Sequence, residues 1–250
     1  MPDGEKNGAL RWYQTLWGVA LIGLGSLVLI VGIVFAVMIV NYWWQINHGQ
    51  GKTLEDKFYG NFQQSTSTAS GSSVDRKKLE GGDDPFLGNP DAPITIVAFF
   101  DFKCPNSKAA APIIQQLADK YGFKVKIIIK DFPGESIHPG AEQLARFASC
   151  AYLQDHNKYW KLYNIFFSRQ DELPVPLADS DISNLANEAG LNYNMIDQCL
   201  KNGKGGVKVN RDYNDGFDAG VNGTPTFFVN GDMVEGVVPW DVWDGFIKNY

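Results

Sequence analysis

A single cysteine between a strand-like run and a helix-like run constrains this chain more than any other feature. Ile94 to Phe100 has the length of a buried strand, and Ser107 to Tyr121 carries apolar residues near helical spacing. Cys104 therefore lies at the start of a helix, directly after a buried strand. Free N–H groups and the positive end of the helix dipole stabilise a thiolate there, which is the reactive form of cysteine.

The segments after this junction alternate between strand and helix patterns. Residues 125–129 form a second, β-branched run, and the order strand, helix, strand predicts a right-handed parallel unit. The later segments predict, in chain order, helices over 141–167, 181–200 and 207–219, a strand over 224–229, a hairpin turn at Asn230-Gly231, a returning strand over 233–237 and a final helix over 239–250. The chain is therefore expected to be of the α/β class.

An uninterrupted apolar run over residues 16–40 contains no charge and no proline. At about 1.5 Å per helical residue, the run is longer than the hydrocarbon core of a bilayer, which is roughly 30 Å thick. It exceeds the roughly 7–15 apolar residues of a cleaved signal peptide, and no A-x-A-like site follows it. We interpret it as a transmembrane signal-anchor rather than a cleaved signal peptide or a buried core helix. Aromatic residues flank it as at membrane interfaces: Trp12, Tyr13 and Trp17 at one end, and Tyr42, Trp43 and Trp44 at the other.

The charges around this run predict its orientation. Lys6 and Arg11 precede the run closely, whereas the next basic residue after it is Lys52. Because cytoplasmic flanks of membrane spans are rich in basic residues, we expect residues 1–15 to lie in the cytoplasm. The rest of the chain is then extracytoplasmic.

The extracytoplasmic part divides into a tether and a folded domain. Residues 41–82 include a polar low-complexity run, 63–73, that has little to bury, so we expect a flexible tether. Residues 83–250 carry the strand and helix patterns and form the predicted domain. Within it, about 139–203 is a helical insertion.

Composition and residue spacing exclude several classes of function. The net charge of −6 argues against a nucleic-acid-binding face, which would be basic. His48, His138 and His156 are scattered without metal-ligand spacing, so we expect exposed or hydrogen-bonded roles for them, no metal and no cofactor. Three cysteines are too few for a disulfide scaffold, and one stays free if two of them pair.

Five local motifs together resemble the DsbA-like branch of the thioredoxin fold, from about residue 84 to the C-terminus. The resemblance implies an α/β thioredoxin fold with a helical insertion. It also implies thiol–disulfide exchange with protein or peptide thiols and disulfides as partners, and a redox partner in the membrane. The motifs are Asp84 to Gly88 (DPFLG), Phe99 to Pro105, Asp131 to Pro133 (DFP), Ser149 to Ala151 (SCA) and Val221 to Gly231.

The same resemblance assigns roles to individual residues. Cys104 matches the family's cysteine that attacks a substrate disulfide. Thr224 and Pro225 match a loop with a cis peptide bond that packs beside that cysteine and offers backbone groups to an extended substrate. Pro105 and Asn106, directly after the cysteine, are expected to contact substrate as well.

Ser107 departs from the family's pattern, because the family's oxidases carry a second cysteine at this position. Cys104 can still attack a disulfide and form a mixed disulfide, but Ser107 cannot resolve that intermediate. An external thiol or a second substrate thiol has to do so. We therefore expect monothiol exchange, isomerisation or removal of small-thiol adducts, with Ser107 able to donate a hydrogen bond to the thiolate.

The other two cysteines and an aspartate have open roles. Cys150 and Cys199 lie near the ends of the paired helical segments of the insertion, and we favour a structural disulfide between them. The alternatives are two buried, unpaired thiols, or one of them resolving Cys104. Asp101, three residues before Cys104, either ends the strand or relays a proton.

The sequence thus predicts a single-pass membrane protein whose extracytoplasmic domain exchanges disulfides through Cys104. One alternative is non-enzymatic: a degenerate thioredoxin-fold domain that binds extended peptides beside the cis-proline. A second is a glutathione-dependent transferase, since some proteins of this fold bind that tripeptide in the same cleft. A location outside the cytoplasm, where glutathione is scarce, counts against the second alternative.

Overall fold

The structure, a computed structural model, describes residues 24, 28–41, 74 and 76–250, and every structural statement refers to these residues. The chain divides into two compact units, Met1–Lys57 and Phe58–Tyr250. In the first, residues 28–41 are helical with exposed side chains. Among the described residues, no helix is both long enough and apolar enough to cross a membrane. The other residues of the predicted span, the predicted head and most of the predicted tether lie outside the described residues.

A five-stranded sheet in the order β1-β3-β2-β4-β5 forms the centre of the second unit. β2 and β3 pair in parallel, and the other neighbouring strands pair antiparallel. All seven residues of β2 are buried, which explains why this strand is a continuous apolar run in the sequence rather than an alternating one. The strands are β1 (Phe86–Gly88), β2 (Ile94–Phe100), β3 (Val125–Asp131), β4 (Thr226–Val229) and β5 (Asp232–Glu235).

Helices cover both faces of this sheet. The pleat of β2 sends Ile96 and Ala98 into the main core, and Val97 and Phe99 into a smaller core on the other face. After the carboxyl end of β2 the chain stays buried through Phe102 and reaches the surface at Pro105 and Asn106. The helices are α1 (Arg76–Glu80), α2 (Pro105–Tyr121), α3 (Ala141–Gln154), α4 (His156–Ser168), α5 (Asp179–Ala189), α6 (Tyr193–Lys201), α7 (Lys204–Asp218) and α8 (Trp240–Asn249).

The packed structure begins before the predicted domain start at residue 83. Leu79 of α1 belongs to the smaller core and is 1% exposed, although the sequence analysis placed it in the tether. Charged residues surround this single apolar side chain in α1. One apolar residue establishes no helical period, so the sequence pattern gave no sign of the helix.

Caps divide the insertion into more helices than the sequence predicted. Periodicity predicted one helix over 141–167, but the carboxylate of Asp155 accepts hydrogen bonds from the N–H groups of Asn157 and Lys158 and starts a new helix, α4. Gly190, at φ 79°, ends α5 inside the helix predicted over 181–200. The insertion is therefore a set of short helices, α3 to α6.

A disulfide joins Cys150 in α3 to Cys199 in α6, 49 residues apart in sequence, and leaves Cys104 as a free cysteine. This is the pairing that the sequence analysis favoured. It ties the first helix of the insertion to the last. While it is intact, neither sulfur is available to resolve an intermediate on Cys104.

Two glycines let α7 lie close to its neighbours. A Cβ at Gly216 would lie 2.8 Å from the ring of Phe132 and 2.9 Å from the ring of Phe99. A Cβ at Gly205 would lie 2.5 Å from the carbonyl oxygen of Arg146 in α3. The space for any larger side chain on this face of α7 is already filled by rings and backbone.

A buried ionic network joins α7 to β3 and to the segment before β1. The ammonium of Lys130 lies 3.0 Å from carboxylate oxygens of both Asp84 and Asp215. The ammonium of Lys208 lies 3.2 Å from Asp131 and also pairs with Asp212. Because each buried charge faces an opposite charge, the network ties α7 to the carboxyl end of β3, where Lys130 and Asp131 lie. Arg211 extends it through ion pairs with Asp84 and Asp212.

Burial shifts the titration of this network. Removal from water raises the pKa of Asp131 to about 6, although Lys208 beside it acts in the opposite direction. Desolvation, reinforced by the charge of Asp212, also raises the pKa of Asp84. Desolvation acts in the same upward direction on Asp212, but Lys208 and Lys130 together lower its pKa overall. The network therefore favours the protonated form of Asp131 and Asp84 and the ionised form of Asp212.

We expect Gly216→Ala to lower the free energy of unfolding by about 1–3 kcal/mol, because the added methyl group would overlap the rings of Phe132 and Phe99. Gly206→Ala, in the same helix, is the matched control, since a Cβ there comes no closer than 3.5 Å to the Arg146 side chain. The control gains helix propensity and stays equal to or above the wild type. Denaturant titration of the full chain measures both. Equal stability of the two variants would contradict the close packing of α7.

The raised pKa of Asp131 predicts a pH dependence of stability. The folded protein holds a proton on this group between about pH 4, near the ordinary aspartate value, and about pH 6. Its contribution to stability is therefore complete below that window and is lost as the pH rises through 6. Asparagine does not titrate, so the unfolding free energy of Asp131→Asn relative to wild type rises between pH 4 and pH 7, by on the order of 2 kcal/mol. A difference that is constant with pH would refute the shift.

Candidate active site

Cys104 lies at the junction that the sequence predicted, between the end of β2 and the first turn of α2. Its N–H donates to the carbonyl of Asp101 at 3.1 Å, and its carbonyl accepts the first helical hydrogen bond, from Lys108 at 3.0 Å. Pro105 occupies the first position of the helix. The side chain of Cys104 makes no capping hydrogen bond, so its sulfur is not used to satisfy the helix end.

The loop before β4 brings a second segment to this sulfur. The Thr224–Pro225 peptide bond is cis, as the resemblance implied. The thiol of Cys104 donates to the carbonyl oxygen of Thr224 at 3.1 Å. The hydroxyl of Thr226 donates to the carbonyl of Gly223 at 2.7 Å and so closes the loop around the cis bond. Two residues far apart in sequence, Cys104 and Thr224, thereby form one site.

The remaining residues expected to contact substrate have different exposures. Pro105 and Asn106 are exposed on the first turn of α2, and Thr224 is half-buried, whereas Pro225 is buried. Cys104 itself is 5% exposed. The accessible rim of the site is therefore formed by Pro105, Asn106 and Thr224, with Pro225 beneath.

Ser107 is fully buried, and its Oγ accepts a hydrogen bond from the backbone N–H of Asp101 at 3.3 Å. The sequence analysis gave this hydroxyl a possible partner in the Cys104 thiolate; the contact found for it is with the turn before the cysteine. A hydroxyl cannot form a disulfide. The site therefore holds one redox-capable sulfur.

Asp101 is a hydrogen-bonding centre of the turn before Cys104. Its buried carboxylate accepts from the N–H of Lys103 at 2.7 Å and from the N–H of Gly134 at 2.9 Å. Nδ1 of His138 lies 2.7 Å from the same carboxylate. His138 is thus hydrogen-bonded, one of the two roles expected for it from the sequence, and its partner, Asp101, was not predicted. The signal was available in the topology, because β2 and β3 are parallel and the loops after them meet at one edge.

The sequence analysis missed Gln170, which follows α4 in the insertion. Its buried side-chain amide donates to the carbonyl of Phe102 at 2.9 Å and to the carbonyl of Cys104 at 3.0 Å. The ammonium of Lys103 donates to the backbone carbonyl of Gln170 at 3.0 Å. The partners in these contacts are more than sixty residues apart in sequence, so no local sequence pattern predicts them.

A groove of about 540 Å³ lies between α2 and α4. Lys108, one helical turn after Cys104, lines one end and pairs with Asp171 at 2.5 Å. Ala111, Pro112 and Phe167 supply apolar walls. Among the described residues, no group of His, Cys, Asp or Glu side chains is arranged to hold a metal ion.

Residues 80–249 match a family model described as thioredoxin. Among sequence relatives, a Na(+)/H(+) antiporter NhaA 1 of Mycolicibacterium gilvum is 33% identical over 160 residues, which are 63% of this chain and 25% of the antiporter. A second antiporter of that name, from Mycolicibacterium vanbaalenii, is 32% identical over 167 residues. The chain thus spans about a quarter of the length of these relatives.

Two solved structures have a similar fold. The thiol-disulfide exchange protein alpha-DsbA2 of Wolbachia pipientis superposes with a TM-score of 0.61 at 20% identity, covering 78% of this chain and 96% of that one. BdbD of Bacillus subtilis superposes with a TM-score of 0.58 at 23% identity, covering 67% of this chain and 92% of that one. The chain therefore belongs to the thioredoxin family, and its domain has the DsbA-like thioredoxin fold, with a helical insertion, that the sequence predicted.

Proposed function

We propose that this protein is a thiol–disulfide oxidoreductase that acts through the single cysteine Cys104. One observation carries the proposal: a free sulfur at the start of α2 lies 3.1 Å from the carbonyl before a cis-proline, while a serine occupies the resolving position. The similar protein of Wolbachia pipientis supports the reaction class, since it is named as a thiol-disulfide exchange protein.

The reaction consists of two balanced exchanges. The Cys104 thiol first gives up its proton, and its sulfur attacks one sulfur of a substrate disulfide; the other substrate sulfur leaves as a thiolate and takes up a proton. A Cys104–substrate disulfide results. An external or second substrate thiolate then attacks the substrate sulfur of this mixed disulfide and releases the Cys104 thiolate. Disulfides are moved or rearranged, and the enzyme itself undergoes no net oxidation.

We assign supporting roles in this exchange to the neighbours of Cys104. When the thiol deprotonates, the carbonyl of Thr224 loses the S–H donor. That carbonyl is then free to accept an N–H from an extended substrate, as the edge of a sheet does. Pro105 and Asn106 lie exposed beside it and contact the substrate on the other side of the sulfur. The Ser107 hydroxyl accepts the N–H of Asp101 and so supports the turn before the cysteine.

We also propose that the domain is anchored to a membrane and lies outside the cytoplasm. The apolar run over residues 16–40 and the basic residues before it support the anchor. The Cys150–Cys199 disulfide supports an oxidising compartment. A membrane redox partner would then supply the external thiol. The transport activity in the names of the antiporter relatives is not part of this proposal, because the matches cover about a quarter of those proteins.

Peptide binding without catalysis is the second candidate. The groove of about 540 Å³ that begins one turn after Cys104 favours it, because its apolar walls suit peptide side chains. The two candidates differ in what they require of the sulfur. Binding survives the loss of the sulfur, and exchange does not.

We expect Cys104→Ala to abolish turnover of a peptide that carries a small-thiol mixed disulfide, assayed with excess external thiol. Ser107→Cys supplies a resolving thiol, so it releases the peptide thiol once without external thiol; the disulfide then formed between Cys104 and the introduced cysteine has to be reduced by external thiol before the next turnover. Turnover by each full-length variant is measured from the change in mass of the peptide when it loses the small thiol. Should wild type be as inert as Cys104→Ala while both bind the peptide equally, exchange is excluded and peptide binding is the function.

The double variant Cys150→Ala/Cys199→Ala separates the structural disulfide from the chemistry. We expect its turnover to match the wild type, because neither sulfur is free to resolve Cys104. Its free energy of unfolding falls by about 2–4 kcal/mol, since the disulfide closes a long loop. Thiol counting on denatured, unreduced wild type gives one thiol. A loss of turnover in a variant that stays folded would make one of these cysteines the resolving group.

A further inference from the structure

We propose that Gln170 is a positioning residue for Cys104, through which the helical insertion sets the geometry of sulfur attack. The proposal deepens the proposed function and rests on it for the exchange readout. The Gln170 side-chain nitrogen donates two hydrogen bonds, and both go to the turn that carries the cysteine. One is accepted by the carbonyl of Phe102 and the other by the carbonyl of Cys104 itself. The side chain is 2% exposed, so water does not substitute for it.

The two carbonyls bracket the reactive residue. Phe102 lies two residues before Cys104, and its carbonyl accepts the Gln170 amide at 2.9 Å. The carbonyl of Cys104 accepts the same amide at 3.0 Å in addition to the helical N–H of Lys108. A single planar amide group thus fixes the distance between the turn and the start of α2. The direction of the Cα–Cβ bond of Cys104 is fixed with it.

Gln170 is itself held from both sides. The ammonium of Lys103 donates to its backbone carbonyl at 3.0 Å. The next residue, Asp171, pairs with Lys108 on α2 at 2.5 Å. Within the insertion, the N–H groups of Glu172 and Leu173 donate to the carbonyl of Arg169 and close a tight turn. These contacts hold the segment that carries the amide against the turn of Cys104 and α2.

The chemistry of the site requires such control. Disulfide exchange places three sulfurs nearly in line, so a small displacement of the attacking sulfur slows the reaction steeply. Glutamine is suited to the role because one nitrogen carries two donors. A carboxylate at this position would instead face the two carbonyl oxygens with acceptors alone. An apolar side chain would leave the buried carbonyl of Phe102 without this donor.

The chain offers a matched control in Gln143, another glutamine of the insertion. Its side-chain amide donates to the carbonyl of Leu177 at 2.9 Å, and its oxygen accepts the N–H of the same residue at 2.7 Å. Gln143 thus makes the same number of side-chain to backbone hydrogen bonds as Gln170. It bridges two parts of the insertion and makes neither of these bonds to the turn of Cys104.

The test compares the full-length wild type with Gln170→Leu, Gln170→Asn and Gln143→Leu. Asparagine is one methylene shorter than glutamine and does not reach both carbonyls, and it keeps the experiment decisive if the leucine variant fails to fold. The first readout is the rate of alkylation of Cys104 by iodoacetamide in the native protein, where it is the free cysteine. The second is kcat and KM for exchange with the mixed-disulfide peptide. Denaturant titration measures stability alongside.

We expect both Gln170 variants to lower the alkylation rate and kcat by roughly tenfold, with KM within about twofold of the wild type. Gln143→Leu keeps both rates while losing similar stability. Rates in the Gln170 variants that equal the wild type, an equal slowing in Gln143→Leu, or a change confined to KM would overturn the proposal. If wild type shows no exchange but the alkylation difference persists, the proposed function fails and the positioning role stands.

Discussion

The parallel pairing of β2 with β3 is the constraint on which the active site depends. It puts the carboxyl ends of both strands at one edge of the sheet, so the turn that carries Cys104 meets the loop of Gly134 and His138. β4 runs antiparallel to β2, and its amino end therefore reaches the same edge with the cis-proline loop. Three loops from distant parts of the sequence converge there because of strand direction alone. The sheet thus places the cysteine at this edge, and side-chain contacts around the turn then orient its sulfur.

How far the sequence predicted this arrangement depended on the range of each interaction. The continuous apolar run of β2, the cysteine at the start of α2 and the helices of the insertion are local patterns, and the motifs around Pro225 carried the family resemblance. Aspartate is a common helix N-cap, so Asp155 could have marked a helix start. The helical periodicity continues without a break on both sides of it, which favoured one long helix. Leu79 was missed because a single apolar residue has no period. Gln170 was missed because a buried hydrogen bond between distant segments leaves no mark in either segment, whereas the pairing of Asp101 with His138 could have been inferred from the predicted parallel strands.

Replacing a cysteine by Ser107 changes what the same fold can do. In a dithiol site the second sulfur competes with external thiols for the mixed disulfide and wins by proximity. Here the position is filled by a buried hydroxyl that accepts the N–H of Asp101 and so supports the turn. A hydroxyl cannot resolve a mixed disulfide, so this position provides no internal route for releasing the substrate. Under the single-cysteine exchange that we propose, the lifetime of the mixed disulfide is set by the thiols that reach the site. The disulfide of the insertion, between Cys150 and Cys199, takes the other two sulfurs out of this competition.

Buried polar contacts at two separate places tie α7 to the sheet and the insertion to the turn of Cys104. Near the edge of the sheet, Lys130 and Lys208 are surrounded by carboxylates of β3, α7 and the segment before β1, and any shift of α7 would leave a buried charge unpaired. At the active site, a shift of the insertion would leave the carbonyl of Phe102 without the donor that Gln170 supplies. A buried donor or acceptor that loses its partner finds no water to replace it, so a displacement that breaks these contacts carries a desolvation penalty that apolar contacts do not impose. The insertion is therefore held in register with the catalytic turn by polar contacts, and the apolar core supplies the stability that makes their burial affordable.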